Sequence, residues 1–247
     1  MSEYGPETYG DRWAAVYDEL TATFVSPADT ERAVARLAAL AGGGPALELA
    51  IGTGRIAVPL AARGVAVSGI DASAAIVARL RDRPGGAGIP VVVGDFADVA
   101  VDGTYRLVFV VLNSFFALLT QDDQVRCFAN VAARLEPGGV FLVEAFVPDP
   151  GRFDRGQRVG AIAVGTDGLH LEAARHDPVA QRVDGLHVVV ENDSVRTYPV
   201  RIRYAWPAEL DLMARLAGLR LRERWGGWEG ESFTAASARH VSVYERA

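Results

Sequence analysis

Ala46-Leu47-Glu48-Leu49-Ala50-Ile51-Gly52-Thr53-Gly54-Arg55 runs from a short apolar strand through a turn with two glycines into the start of a helix. Glycine at 52 and 54 lets the main chain pass close to a ligand, and the helix behind the turn offers free N–H groups. Nineteen residues after Gly52, a second apolar strand, Val65 to Ile70, ends in Asp71. A carboxylate at that spacing can hold a ribose diol, so the pair points to a nucleoside-containing ligand.

The same alternation continues outward. Strands are expected at 45–50, 65–70, 90–93, 105–112 and 140–147, with helices at 54–63, 73–83 and 121–135. Runs such as Leu107-Val108-Phe109-Val110-Val111-Leu112 are continuously apolar, which marks a parallel sheet covered on both faces. Upstream, Asp11 to Thr23 carries Trp13, Val16, Tyr17 and Leu20 at helical spacing. Ser26-Pro27-Ala28-Asp29 reads as an N-cap, a first-turn proline and an acid, opening a helix that reaches Ala41 and stops at Gly42-Gly43-Gly44. The third strand ends in Gly94-Asp95-Phe96, where Asp95 can accept from an adenine amino group and Phe96 can lie against the ring. Asp71 could also serve as a helix cap, Asp95 as a turn residue and Phe96 as a core aromatic. Gly, Asp and Asp at three successive strand ends nevertheless converge where an open parallel sheet places its ligand crevice.

The pattern changes after Pro148. Between about Val159 and Tyr204, alternating segments are separated by turn signals at Asp167-Gly168, Asp177-Pro178, Asp184-Gly185 and Asn192-Asp193. Tyr198, Val200, Ile202 and Tyr204 fall on one side and Arg201 and Arg203 on the other, the period of antiparallel strands with one wet face. A helix at 207–217, ended by Gly218, precedes strands at 219–225 and 239–246, which read as a closing antiparallel hairpin. The loop Trp225 to Phe233 reads either as part of a ligand pocket or subunit contact, or as an ordinary hairpin connection.

Composition narrows the partners. The chain has 247 residues, half of them apolar, and a net charge of −6, which argues against a nucleic-acid or anionic-membrane partner. All 25 basic residues are arginine, so lysine-based covalent chemistry is excluded. Cys127 is the only cysteine; it forbids an intrachain disulfide and fits a cytoplasmic setting. The opening Met1 to Asp11 is polar and does not resemble an export signal. No His, Cys, Asp and Glu grouping has metal-ligand spacing, so no metal is expected.

These motifs resemble those of the class I S-adenosylmethionine-dependent methyltransferases. Glu48 to Arg55 is similar to the first motif, Gly69-Ile70-Asp71-Ala72-Ser73 to the second and Gly94-Asp95-Phe96 to the third. Val111-Leu112-Asn113-Ser114-Phe115 resembles the fourth-strand motif, and Leu135-Glu136-Pro137-Gly138-Gly139 the turn before strand five. Ala50 stands where the family often has glycine. The resemblance covers Trp13 to Phe146 well and the C-terminal helix and hairpin loosely. It implies an α/β Rossmann-like sheet of order 3-2-1-4-5-7-6 with strand 7 antiparallel. Residues 1–247 would form a single domain with an antiparallel β lid inserted at about 159–204, between strands 5 and 6. It implies S-adenosyl-L-methionine as cofactor, held by Tyr17, Glu48, Ala50, Gly52, Gly54, Asp71, Ala72, Asp95, Phe96, Leu112 and Asn113.

The resemblance also implies a small-molecule acceptor with a nitrogen or oxygen nucleophile, as in enzymes of amino sugars and other natural-product scaffolds. A homodimer is left open. A base is needed only for an acceptor that is protonated at neutral pH; His170, His176, His187 and His240 are the candidates, with His170 and His176 put first. Tyr17-Asp18 resembles the helix that closes over the cofactor in small-molecule members, though Trp13 and Tyr17 could equally just pack that helix down. Two other readings share some of these features: a nicotinamide-dependent oxidoreductase, and a non-catalytic scaffold that keeps the cofactor.

Overall fold

A computed structural model describes residues 4–166, 168–191 and 194–247. The chain opens with α1 (Thr8–Trp13), α2 (Tyr17–Thr21) and α3 (Pro27–Ala41), then alternates through β1 (Ala46–Leu49), α4 (Ala57–Ala62), β2 (Val67–Asp71), α5 (Ala74–Asp82) and β3 (Val91–Val93). It continues through β4 (Tyr105–Val110), α6 (Gln121–Arg134) and β5 (Leu135–Phe146). Four strands follow, β6 (Gln157–Val164), β7 (Gly168–Asp177), β8 (Arg182–Glu191) and β9 (Ser194–Arg203), before α7 (Pro207–Leu216), β10 (Leu219–Trp225) and β11 (Arg239–Arg246).

The main sheet has the order β10-β11-β5-β4-β1-β2-β3, with β11 antiparallel to both of its neighbours. This is the order the family resemblance implies. The continuous apolar runs are explained by the layering. Along β4, Val108 and Val110 pack with Phe128 of α6 on one face, while Leu107 and Phe109 pack with Leu37 and Leu60 of α3 and α4 on the other. Burial on both faces favours an apolar side chain at each of these positions. α3 starts as read, with Ser26 Oγ accepting from Asp29 N, and ends at Gly42 in the left-handed region.

Several boundaries differ from the sequence reading. The expected single helix over 11–23 is two short helices, broken at Val16 (φ −125°, ψ 0°). The break turns Trp13 toward Val189 and Tyr198 of the second sheet while Asp18 reaches Thr53 and Arg83. Pro137-Gly138-Gly139 lies inside β5, with a register irregularity against β4 between Tyr105 and Leu107, so the strand starts five residues earlier than expected.

β6 to β9 form the separate antiparallel sheet. Asp177-Pro178 is a turn, its carboxylate accepting from Val179 N and Ala180 N. Asp184-Gly185 is not; both residues lie in the β8 ladder, Gly185 opposite Ala174 and Val200. The expected turns involving Asp167, Asn192 and Asp193 fall on positions outside the described residues. Arg203, expected on a wet face, is 6 % exposed. It binds Gln124 of α6, Gln181, and Glu209 of α7, and so ties the second sheet to two helices, α6 and α7. Among the described residues, no helix is long and apolar enough to cross a membrane.

Candidate active site

The ends of β1 to β4 open onto one cavity of about 540 Å³. Its floor is Ala50 and Gly52 after β1, Asp71 and Ala72 at the end of β2, Asp95 and Phe96 after β3, and Leu112 and Asn113 after β4. Tyr9, Trp13 and Tyr17 of the N-terminal helices form one wall. The second sheet adjoins this wall and lines the cavity through residues such as His176, His187, Ile202 and Tyr204.

The floor is held by its own backbone. Ala50, Gly52 and Gly54 have φ of 55°, 59° and 78°, and Leu112 and Asn113 have 54° and 63°. Such values cost non-glycine residues free energy and persist only where the surroundings impose them. At β4 the surroundings are Glu144 and Asn113: Glu144 Oε2 accepts from Leu112 N at 2.9 Å, and Asn113 Oδ1 accepts from Phe146 N at 2.6 Å. Asp71 accepts from Gly52 N through Oδ2 and from Ser73 N through Oδ1. The cap of α5 is Ser73 and not Asp71, since Ser73 Oγ accepts from Ile76 N. Burial raises the Asp71 pKa, opposed by the hydrogen bonds from Ser73 and Gly52. Asp95 fills the turn role that is its alternative reading, accepting from Ala97 N at 2.8 Å, and also borders the cavity.

The N-terminal helices are tied down onto this floor. Thr53 Oγ1 donates to Asp18 at 2.6 Å, Arg83 pairs with the other Asp18 oxygen at 2.6 Å, and Ser73 Oγ donates to Asp11. Tyr9 stacks on Trp13 with centroids 5.1 Å apart and meets Tyr17 edge-on at 6.3 Å.

Nine of the eleven residues expected to hold the cofactor border the cavity: Tyr17, Ala50, Gly52, Asp71, Ala72, Asp95, Phe96, Leu112 and Asn113. Glu48 and Gly54 do not. Glu48 lies in β1 beneath the turn, 3 % exposed, and Gly54 is required by its φ of 78° and by packing, because a Cβ there would collide with the Leu80 side chain. Of the histidines, His176 borders the cavity, bonded through Nε2 to Tyr204 Oη at 2.9 Å and stacked on Phe153. His187 borders it too; His170 stands behind His187, and His240 is buried in β11 beside Ser242. The sequence reading misses Tyr9 and Phe153, because an aromatic on an amphipathic or irregular segment reads as packing, and Phe146, because it ends a continuously apolar strand. The Trp225 to Phe233 loop packs against α3, with Trp228 O accepting from Arg36 and Trp228 Nε1 donating to Glu144, and does not border the main cavity. Among the described residues no three metal-ligating side chains come together.

Comparison with known proteins fits this geometry. A methyltransferase domain model matches residues 46–139. The solved structure of the CcbJ methyltransferase from Streptomyces caelestis is 42 % identical, covers 99 % of this chain and 100 % of its own, and superposes with a TM-score of 0.93. The chain is a class I S-adenosylmethionine-dependent methyltransferase. A curated relative, the cypemycin N-terminal methyltransferase of a Streptomyces species, is 29 % identical over 81 % of this methyltransferase and 82 % of its own length. CalS10 of Micromonospora echinaspora, an amino pentose methyltransferase solved with its cofactor, shares the fold at 20 % identity, covering 94 % of this chain and 97 % of its own with a TM-score of 0.70.

The cavity suits the family's cofactor on two counts. Glu48 Oε2 is buried with no partner, and burial, opposed by Arg55, pushes that carboxyl up to about 8. A cationic ligand in the cavity above would act through space to favour the ionised carboxylate. Gly52 borders the cavity, and its φ of 59° favours the residue that leaves the main chain bare toward a ligand.

Proposed function

We propose that this methyltransferase transfers the methyl group to the nitrogen of a small-molecule amine. The observation that carries the reading is the division of one cavity between two surfaces: strand ends suited to a nucleoside on one side, and a sheet of aromatic and polar side chains on the other. We read residues 1–247 as one domain and residues 157–203 as its lid. Asp71 would hold the ribose diol, Asp95 the adenine amino group and Phe96 the ring. Ala50, Gly52, Ala72, Leu112 and Asn113 would contact the cofactor through main chain and small side chains, Tyr17 would cover it, and Glu48 would balance its positive charge from below. Gly54 would serve indirectly, by allowing α5 to approach the turn.

The cofactor supplies an activated methyl on a sulfonium. The chain's own task is to exclude water and to align the nucleophile, which accounts for much of the acceleration in such reactions. The aromatic wall of Tyr9, Trp13 and Tyr17 supports a nitrogen acceptor, since it suits the positive charge that nitrogen gains on methylation. The name of the cypemycin relative supports nitrogen too. His176 is retained as the candidate base because it borders the cavity. His170 would act only through His187.

The test has two parts. S-adenosylhomocysteine should raise the melting temperature, and nicotinamide dinucleotides should not. A panel of small amines incubated with S-adenosylmethionine should yield methylated products by mass spectrometry. Transfer to hydroxyl compounds alone would reassign the acceptor atom. Tight cofactor binding without transfer to any compound would favour a scaffold.

A further inference from the structure

The second sheet holds a polar pair at the margin of the cavity. His170 on β7 and His187 on β8 stand ring to ring, with His170 Nε2 2.9 Å from His187 Nδ1. His187 borders the cavity and lies edge-on to Trp13, with ring centroids 4.9 Å apart. His170 is 5 % exposed, and its Nδ1 is buried without a partner. Glu172 is opposite His187 in the β7–β8 register and is itself paired with Arg152 and Arg158; Tyr198 is opposite on β9. Burial lowers the pKa of both histidines, opposed by Glu172, so both rings are neutral near pH 7.

Two neutral rings carry one N–H each, and one of the two N–H groups lies in the shared hydrogen bond. If His187 donates from Nδ1, then His170 carries its proton on its own Nδ1, as a donor sealed in the protein with nothing to accept it. If His170 donates from Nε2, its bare Nδ1 takes the sealed position, and His187, which borders the cavity, carries its proton on Nε2. Buried orphan donors are the rarer of the two arrangements, and stranding one costs its full desolvation. The second arrangement also leaves both rings in the Nε2–H form that the histidine side chain intrinsically prefers.

We infer that His187 is a hydrogen-bond donor to the acceptor molecule, its Nε2–H set by His170, and that the acceptor carries a hydroxyl, ether or carbonyl oxygen facing β7 and β8. The inference rests on the small-molecule amine reading and deepens it. In this state His187 has no free lone pair, so it recognises the acceptor and does not take its proton. His170 is a positioning residue, since it fixes the tautomer of its neighbour.

The tautomers can be read without any acceptor, from long-range 1H–15N correlations of the imidazole rings in the full chain. Both rings protonated on Nε2 is the expected pattern. An Nδ1–H on His187, or a doubly protonated ring near neutral pH, overturns the inference. The acceptor arm compares binding of D-glucosamine and cyclohexylamine, ring amines with and without oxygens, in the presence of S-adenosylhomocysteine. The wild type should prefer D-glucosamine by about fivefold, the yield of a single hydrogen bond. His187→Phe should erase the preference, and His187→Gln, which keeps an N–H at a similar reach, should retain most of it. Equal binding in the wild type, no binding of either amine, or a preference that survives His187→Phe overturns the inference. Failure of the amine reading would show separately, as no methyl transfer to any amine while the tautomers and S-adenosylhomocysteine binding are as expected.

Discussion

The carboxylate of Asp71 accepts the backbone N–H of Gly52 at 2.9 Å, which ties the end of β2 to the turn after β1. One oxygen serves that turn and the other serves Ser73 N, so the residue proposed to hold the ribose diol also braces the floor of the cavity. Asp71→Ala should therefore act twice. It should weaken S-adenosylhomocysteine binding by on the order of 1–3 kcal/mol in a calorimetric titration. It should also lower unfolding stability by about 1–3 kcal/mol, because two backbone donors lose their acceptor. Unchanged affinity with reduced stability would make Asp71 a brace alone.

Ala50 has φ of 55°, a conformation that glycine adopts freely and alanine does not. Ala50→Gly should raise stability in urea unfolding by roughly 0.5–1 kcal/mol, the left-handed penalty less the extra entropy of the unfolded glycine. A loss of stability would mean that the Ala50 methyl packs more favourably than the backbone is strained.

Arg203 has a side chain 7 % exposed and is paired at 2.8 Å with Glu209, 17 % exposed. Burial works against ionisation of Glu209, but hydrogen bonds from Arg203, Gln181 and Gln121 overcome it and hold the carboxyl below its ordinary range. Arg203→Ala would strand Glu209 and release β9 from α6 and α7. A cost of roughly 3–5 kcal/mol is expected in denaturant unfolding. Hydrogen exchange should rise first in β8 and β9; uniform loss of protection across the main sheet would contradict this.

Three histidines titrate below their ordinary value of 6.5 in the folded chain: His170, His187 and, pushed down to about 4 by burial and by Arg224 against Asp211, His240. The unfolded chain binds protons first, so this contribution to stability is whole above pH 6.5 and is lost as pH falls toward the folded values. His240 alone accounts for a loss on the order of 3 kcal/mol by pH 4. His240→Asn should flatten the acid limb of a stability-versus-pH curve; an unchanged slope would place the effect elsewhere.

Asp18 joins α2 to the glycine turn through Thr53 and to α5 through Arg83. If α2 covers the cofactor, Asp18→Ala should speed S-adenosylhomocysteine dissociation severalfold in a chase experiment, with little change in melting temperature. An unaltered rate would leave the helix as packing.

The parallel sheet was legible in the amino-acid sequence because burial on both faces leaves a continuous apolar run at each strand, a signal carried within a few residues. The floor of the cavity was legible for the same reason. Gly52, Asp71, Asp95 and Asn113 each sit at the end of such a run, and parallel strands bring their ends to one edge. Other features depend on partners distant in the chain. Arg203 alternates like a solvent-facing residue, and only Gln124 and Glu209, brought close by folding, bury it. Gly54 reads as a ligand glycine until Leu80 is seen to fill the space beside it. The N-terminal helix breaks because its two halves meet different surfaces, and its periodicity is blind to that. His170 and His187 are 17 residues apart, and only the pairing of β7 with β8 turns two isolated histidines into one hydrogen-bonded pair. Local periodicity records which face a residue buries; which partner waits on that face is decided by the tertiary contacts.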